Sequence, residues 1–434
     1  MNFSRSRELG DRLQKIVPGG AHTYAKGADQ YPELAPALIA RGAGSHVWDV
    51  DDNEFIEYGM GLRAVTLGHA YAPVVEAVRA SLALGTNFTR PSLIELECAT
   101  AFLEAIDGAE MVKFTKDGST ANSAALKLAR AFTGREEVAI CAQHPFFSYD
   151  DWFFCTTTMD AGIPRFVYDQ TARFNYNDLD SLKALFAQRP GRIAAVVLEP
   201  ARIEEPAPGF LQGLKDLCLA EGAVLVFDET ITGFRWHAQG AQKLYGVVPD
   251  LSVFGKALAN GFSLSALCGR REIMRLGSRE RPQDSVFLLS TTHGAETPSL
   301  AAALATMKVY RTEPVVEKLH RQGARLAAGV NQAIDRRGLG GKVTVVGRAC
   351  NLFYGTNDQD GKPSQELRTL FLQEIIRRGV IAPSFVVSYS HEDADIDRTV
   401  DAVDGALEIY VRALADGVSK HLVGSPSRLV FGRR

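Results

Sequence analysis

The sequence predicts an α/β protein: a large domain whose mostly parallel central sheet is flanked by helices, and a smaller α+β domain drawn from both termini. Three observations carry this reading. Short apolar runs alternate with helical patterns from about residue 61 to 310, the pattern changes after Pro314, and no short-period repeat or low-complexity segment interrupts either part. The expected boundaries are 1–60 for the N-terminal segment of the small domain, 61–310 for the large domain and 311–434 for the C-terminal part of the small one. A chain of 434 residues exceeds what one small core serves, which favours a large domain plus a smaller one.

Taken in order, MNFSRSRELGDRLQKIVPGG reads as a polar helix stopped by Pro18-Gly19-Gly20. ALIARG and SHVWDVDDNEFIEYG read as short strands, the latter with a turn at Asp51 to Asn53. In the large domain MVKFT, EVAICA, RFVYD, IAAVVLEP, AVLVFDE and LSVFG read as strands, each short and rich in Val, Ile and Phe. Helices such as NSAALKLARAFTG and QGLKDLCLAEGA lie between them and close on glycine. Such βαβ units place a ligand at the carboxyl ends of the strands. VVEKLHRQGARLAAGVNQAIDRRG then reads as the long helix that opens the C-terminal part.

Composition narrows the function. With 46% hydrophobic and 23% charged residues the chain is ordinary globular material, and a net charge of −3 argues against nucleic acid or an anionic membrane surface as partner. The N-terminus has no apolar leader core, and no segment is long enough to span a bilayer. Six scattered cysteines without a C-x-x-C pair are expected to be buried free thiols, with no metal site. A cytoplasmic enzyme is the expectation.

Four pieces at strand ends carry chemistry. In FTKDGSTANSAALKLARAFTG a strand ends at Thr115, and Gly118, Ser119 and Thr120 open a helix whose N-terminus can bind an anion. The same residues also serve as an ordinary helix cap. Asp228 ends AVLVFDE, where a carboxylate needs a cation or solvent, and Glu229 beside it should face the other way. Lys256 in VFGKALANG is either a Schiff-base lysine or a snorkelling one. HPFFSYDDWF sets Phe146, Phe147, Tyr149 and Trp152 just after a strand, as a stacking face or as core. Together they describe a flat heteroaromatic ring with a phosphate arm, a ring nitrogen that profits from an acid, and an aldehyde that captures a lysine. That ligand is pyridoxal 5′-phosphate, an electron sink for bonds that break at a substrate α-carbon.

The blocks PGGAHTYAK, HVWDVDDNEFIEYGMG, LGHA, DGSTANSAALKLARAFTGR, VVLEP, LVFDETITGFR, PDLSVFGKALANGFSLSALCGRREIM and APSFVVSYSHEDADIDRTV occur in this order. Over nearly its whole length the chain thereby resembles the class III (fold type I) pyridoxal-phosphate aminotransferases, most closely the glutamate-1-semialdehyde 2,1-aminomutase branch. The resemblance implies phosphate binding by Gly118, Ser119 and Thr120, ring stacking by Phe146 and a ring-nitrogen partner in Asp228. It implies Lys256 as the lysine that carries the cofactor and Glu199 as a residue near it. Thr292 would reach the phosphate of the neighbouring subunit, so a homodimer with active sites at its interface is implied.

Against that branch the chain departs at several points. KDGSTA, Lys116 to Ala121, replaces NSGTEA, and Pro383 to Val387 carries no acid. Thr23 and Lys26 stand for the branch's serine and arginine, Leu62 for its tryptophan with Arg63 following, and the segment before FNYND is short for a mobile lid. An intermolecular aminotransferase is therefore expected, moving an amino group from a donor, L-glutamate, to a small carbonyl acceptor; the intramolecular aminomutase is the alternative. Arg63, Lys26 and Thr23 are the substrate candidates, whereas Arg235 and His69 read as structural. HGAE, His293 to Glu296, also differs from the branch. A dinucleotide oxidoreductase lacks its G-x-G-x-x-G here, and intact Asp228 and Lys256 argue against a non-catalytic relative.

Overall fold

A computed structural model of the chain describes residues 1–143, 148–279, 285–428 and 430. Its strands are β1 (Ile39–Ala43), β2 (His46–Asp49), β3 (Glu54–Glu57), β4 (Met111–Thr115), β5 (Glu137–Cys141), β6 (Thr171–Phe174) and β7 (Ile193–Leu198). β8 (Val224–Asp228), β9 (Leu251–Phe254), β10 (Ser265–Gly269), β11 (Val343–Val346), β12 (Phe353–Thr356) and β13 (Val380–Ile381) follow. The chain divides into two compact units, one of residues 1–71 with 317–434 and one of residues 72–316.

The unit of residues 72–316 is built on one sheet with strand order β4-β10-β9-β8-β7-β5-β6. β6, β5, β7, β8 and β9 pair in parallel, and β10 runs antiparallel to both β9 and β4. β4 therefore points the same way as β9, and every strand but β10 presents its carboxyl end on one edge. β5, β7, β8 and β9 are buried at every residue, as strands covered by helices on both faces must be. Alternation divides their side chains. Ala195, Val197, Val226 and Val253 pack with Ala124, Ala125 and Leu128 of the helix Gly118–Thr133. Val196, Leu198, Leu225 and Phe227 pack on the other face with Phe186, Leu214 and Cys218.

Two elements differ from expectation. RFVYD is the helical turn Arg165–Asp169, not a strand, and the strand is the following Thr171–Phe174. Pro164, fixed near φ −64°, caps that turn, and its carbonyl accepts the Val167 amide at 3.1 Å. Phe166 points into solvent, so the apolar run never enters the sheet. SALCG, not expected as a strand, is the fully buried β10. The six cysteines are free and buried, and burial pushes the Cys98 thiol up to about 12.

In the other unit β1-β2-β3-β13 form a sheet in which C-terminal β13 pairs in parallel with N-terminal β3, Val380 opposite Ile56. Both ends of the chain thus build one sheet. The Asp51–Asn53 turn is organised by Asp49, whose Oδ1 accepts the amides of Asp51 and Asn53 at 2.9 and 2.8 Å. Among the described residues no helix is long and apolar enough to cross a membrane.

The start of the long helix Asp393–Asp416 is pinned to this sheet by His46. Its Nε2 lies 3.0 Å from Asp395 Oδ1 and its Nδ1 2.7 Å from Glu54 Oε1. The hydrogen bond to Asp395 holds the imidazole above its ordinary value despite the opposing effect of burial. A raised folded-state value means that this stabilisation is complete below about pH 6.5 and is lost as pH rises through the folded value. His46→Gln is expected to lower the melting temperature by about 2–4 °C at pH 6 and by less at pH 9, read by thermal denaturation at both.

Candidate functional site

Three adjacent strand ends bring acids and a lysine together. Leu198 is opposite Phe227 and Asp228 is opposite Val253, so Glu199, Asp228 and Lys256 follow one another across the carboxyl edge of β7, β8 and β9. Asp228 is 4% exposed. Its Oδ1 accepts the Thr230 amide at 2.9 Å and its Oδ2 accepts Asn122 Nδ2, also at 2.9 Å. Burial pushes its carboxyl up from the ordinary range, against the pull of Thr230, Lys256 and Asn122. Such a group is best served by a further cation.

Lys256 follows Gly255 in a left-handed conformation, φ 45°, and opens the short turn Lys256–Ala259. A lysine at positive φ is uncommon and is held there by its surroundings. Thr230 sits between two glycines. A Cβ on Gly118 would lie 3.0 Å from Thr230 Oγ1, and one on Gly255 would lie 2.5 Å from Ser265 Oγ and 3.2 Å from Thr230 Cγ2. The junctions after β4 and β9 therefore both pack closely on Thr230, which a side chain on either glycine would have to displace.

The helix Gly118–Thr133 begins beside this cluster, with Ser119 buried in its first turn. Asp117 caps it: Oδ1 accepts the Thr120 amide at 2.8 Å, and Oδ2 lies 3.2 Å from Thr120 Oγ1. The Thr120 hydroxyl also meets Tyr149 Oη at 3.1 Å. Gly118 and Ser119 are the first two residues of this helix, so their amides have no intrahelical acceptor. Lys116 Nζ pairs with Glu296 at 2.5 Å, and His293 Nδ1 lies 3.2 Å from the same carboxylate. Two departures noted in the sequence, KDGSTA and HGAE, thus meet in one ion pair. Thr292 is exposed, and its carbonyl accepts Asn87 Nδ2 at 2.9 Å.

The remaining candidates are placed as follows. Phe146 and Phe147 lie outside the described residues. Tyr149 is exposed, whereas Trp152 is buried and donates Nε1 to Ser123 Oγ at 2.9 Å. Glu199 is buried with Arg202 Nε 3.9 Å away, and Arg235 is fully buried. In the other unit Thr23 and Lys26 are exposed on one turn, the Lys26 amide donating to the Thr23 carbonyl at 2.9 Å.

Arg63 ends a left-handed turn in which Met60, Gly61, Leu62 and Arg63 have φ of 43°, 58°, 59° and 73°. Glu57 accepts the Met60 amide at 2.7 Å, and His69 Nε2 lies 3.1 Å from Glu57 Oε2. The guanidinium donates from Nε to Asn351 Oδ1 at 2.7 Å and from Nη2 to Ser384 Oγ at 3.1 Å, with its carbon 4.8 Å from the Phe353 ring centre. The sequence singled out Arg63 as a candidate but not the residues that hold it, nor Asn122 and Thr230 around Asp228. Asn122 carried the one available signal, a polar residue four places after Gly118 on an otherwise Ala- and Leu-rich helix face.

The model of the class-III aminotransferases matches residues 26–407. The chain belongs to that family. It is 35% identical over 430 residues to a Desulforudis audaxviator protein named glutamate-1-semialdehyde 2,1-aminomutase, covering 93% of this chain and 97% of that one. Among solved structures, the PLP internal aldimine form of Sphingopyxis sp. MTA144 FumI is 29% identical with a TM-score of 0.86, covering 95% of this chain and 98% of that one. An omega-transaminase from Sphaerobacter thermophilus is 26% identical with a TM-score of 0.82, covering 94% and 98%. The fold is fold type I and the cofactor is pyridoxal 5′-phosphate. The buried carboxyl at the end of β8, pushed up by burial, fits a cationic partner such as the ring nitrogen of that cofactor.

Glu229 points away from Asp228 and has a separate task. It is fully buried and accepts from the Thr232 hydroxyl, the Ala241 amide at 2.8 Å and the Gln242 amide at 2.6 Å. Burial nonetheless pushes its carboxyl up to about 7. The folded state therefore keeps a proton that the unfolded chain loses near pH 4.5, so stability falls as pH rises from about 4.5 to 7 and is level beyond. Glu229→Gln turns an N–H toward one of those amides and is expected to cost about 1–3 kcal/mol. Urea unfolding at pH 5.5 and 8 should also show the variant's stability varying less with pH.

Proposed function

We propose that the protein moves an amino group on or between small carbonyl compounds. The observation that carries this reading is the buried Asp228 carboxylate beside Lys256 at neighbouring strand ends. Bound there, pyridoxal phosphate supplies an electron sink for the bond broken at the substrate carbon. Asp228 stays ionised and keeps the ring nitrogen protonated. Lys256 carries the cofactor through its aldehyde and, once released, takes and returns the proton at the substrate carbon. Gly118 and Ser119 hold the phosphate with Thr120 at their edge, Phe146 stacks on the ring, and Glu199 lies beside it. Arg63, Lys26 and Thr23 are the substrate ligands of this reading, Arg63 for a carboxylate.

The names of the curated relatives favour the intramolecular aminomutase. The expected intermolecular aminotransferase is supported by the departures from that branch: Arg63 on its fixed turn after Leu62, and a segment Ser384–Val387 that carries no acid. The two separate in one experiment. Purified, cofactor-loaded protein is mixed with L-glutamate, and the visible band and 2-oxoglutarate are followed; in parallel, glutamate-1-semialdehyde is supplied without a donor. Bleaching with 2-oxoglutarate release marks the transferase, and 5-aminolevulinate from the semialdehyde alone marks the mutase. Lys256→Ala is expected to lose turnover and the visible band; retention of both would falsify the role of Lys256.

We also propose a cytoplasmic homodimer, with Thr292 reaching the partner's phosphate. Leu82, Leu84, Phe88, Leu93 and Leu96 are all at least half exposed within a short stretch of the chain. That stretch is tied to the segment bearing Thr292 by Asn87 to the Thr292 carbonyl at 2.9 Å and by the Thr297 amide to the Thr86 carbonyl at 3.1 Å. Exposed apolar side chains beside a residue meant to cross into a neighbour fit a subunit contact. Leu84→Glu with Leu96→Glu is expected to shift the dimer toward monomer in light scattering and to weaken cofactor retention at least tenfold.

A further inference from the structure

Asn122 lies on the second turn of the helix Gly118–Thr133 and is 1% exposed. Its Nδ2 donates to two oxygens, the Gly118 carbonyl at 3.0 Å and Asp228 Oδ2 at 2.9 Å. One amide nitrogen thereby ties the turn that opens the proposed phosphate cradle to the acid that ends β8. We propose that Asn122 is a positioning residue for the cofactor, fixing the Asp228 carboxylate in its charged form and in register with the Gly118 turn. The inference rests on the reading that Asp228 faces the ring nitrogen.

The physical argument concerns which neighbours favour the charge. Asp228 is reached by the Thr230 amide from its own chain, by Asn122 from the helix, by Lys256 from the turn after β9, and by the adjacent Glu229 carboxyl from the opposite face. Burial opposes ionisation, while Thr230, Lys256 and Asn122 favour it. The Thr230 amide belongs to the backbone and cannot be removed by substitution. The Asn122 amide can. Without it, Oδ2 faces its buried surroundings with one fewer donor, so a larger share of the acid is neutral at a given pH and the ring nitrogen loses its counter-charge. A hydrogen bond from a neutral amide to a buried carboxylate is typically a tenfold effect or somewhat more.

The test compares Asn122→Leu, which keeps the volume and removes the donor, with Asn122→Ala, which removes both. Pyridoxal phosphate affinity of each full-length protein is measured by the visible band from pH 5.5 to 8.5, with Asp228→Asn as a control. Affinity is expected to fall about tenfold in both variants at pH 6.5, with the acid limb of the binding profile moved up by about one pH unit. A purely structural Asn122 leaves that limb where it is in Asn122→Leu, whatever happens to the melting temperature, and that result overturns the proposal. If Asp228→Asn itself keeps wild-type affinity and an unchanged limb, the ring-nitrogen reading has failed instead.

Discussion

A carboxylate that ends a fully buried strand has to be met by donors or cations, and the surroundings of Asp228 follow from that requirement. Moving such a charge out of water costs several kcal/mol, and each neutral donor returns only part of it, about 1.5–3 kcal/mol. The Thr230 amide reaches Oδ1 because the chain turns directly after β8. That turn drives the Thr230 side chain against Gly118 and Gly255, where a Cβ would come within 3.0 and 3.2 Å of it. Glycine at both positions keeps room for that side chain. The rest of the stabilisation has to come from positive charge, which Lys256 supplies and which, on the proposed reading, a protonated ring nitrogen would add to.

Glu229 shows what the same chemistry does one residue further on. Strand alternation sends it to the other face, where three donors from the backbone and Thr232 close around it. It fastens the turn at Gly240 to β8, where a Cβ on Gly240 would lie 2.8 Å from its carboxyl carbon. Adjacent acids, both buried, take different roles because one face of the sheet edge is filled by its own chain and the other is lined by glycines and a lysine.

The alternation of apolar runs with glycine-closed helices made the large sheet legible, and the order of blocks made the cofactor legible. The misplaced strand had a local cause: RFVYD has strand composition, yet Pro164 sets up a helical turn and leaves Phe166 in solvent. β10 was missed because SALCG, set among small residues, is too short for periodicity to tell strand from helix. Asn122 touches Asp228 across 106 positions and Arg63 touches Asn351 across 288, and no local pattern encodes such pairs. The acids and the lysine could be read because their strands end at them. Their holders could not, because an asparagine on a helix looks alike whether it faces water or an acid.

The turn at Arg63 shows how backbone strain fixes the direction of one side chain. Three of its four residues are not glycine, and left-handed backbone costs roughly 1–2 kcal/mol at each such residue. A surface arginine needs none of that strain. Glu57, itself steadied by His69, holds the turn at its first amide, and Asn351, Ser384 and Phe353 hold the guanidinium at its end. Strain kept in place at both ends belongs to a side chain whose direction matters. Ser384 opens the segment in which the aminomutase branch is expected to carry an acid. An acid there would bring the guanidinium a counter-charge; Val386 and Val387 carry none, and Asn351, Ser384 and Phe353 orient the planar cation without neutralising it.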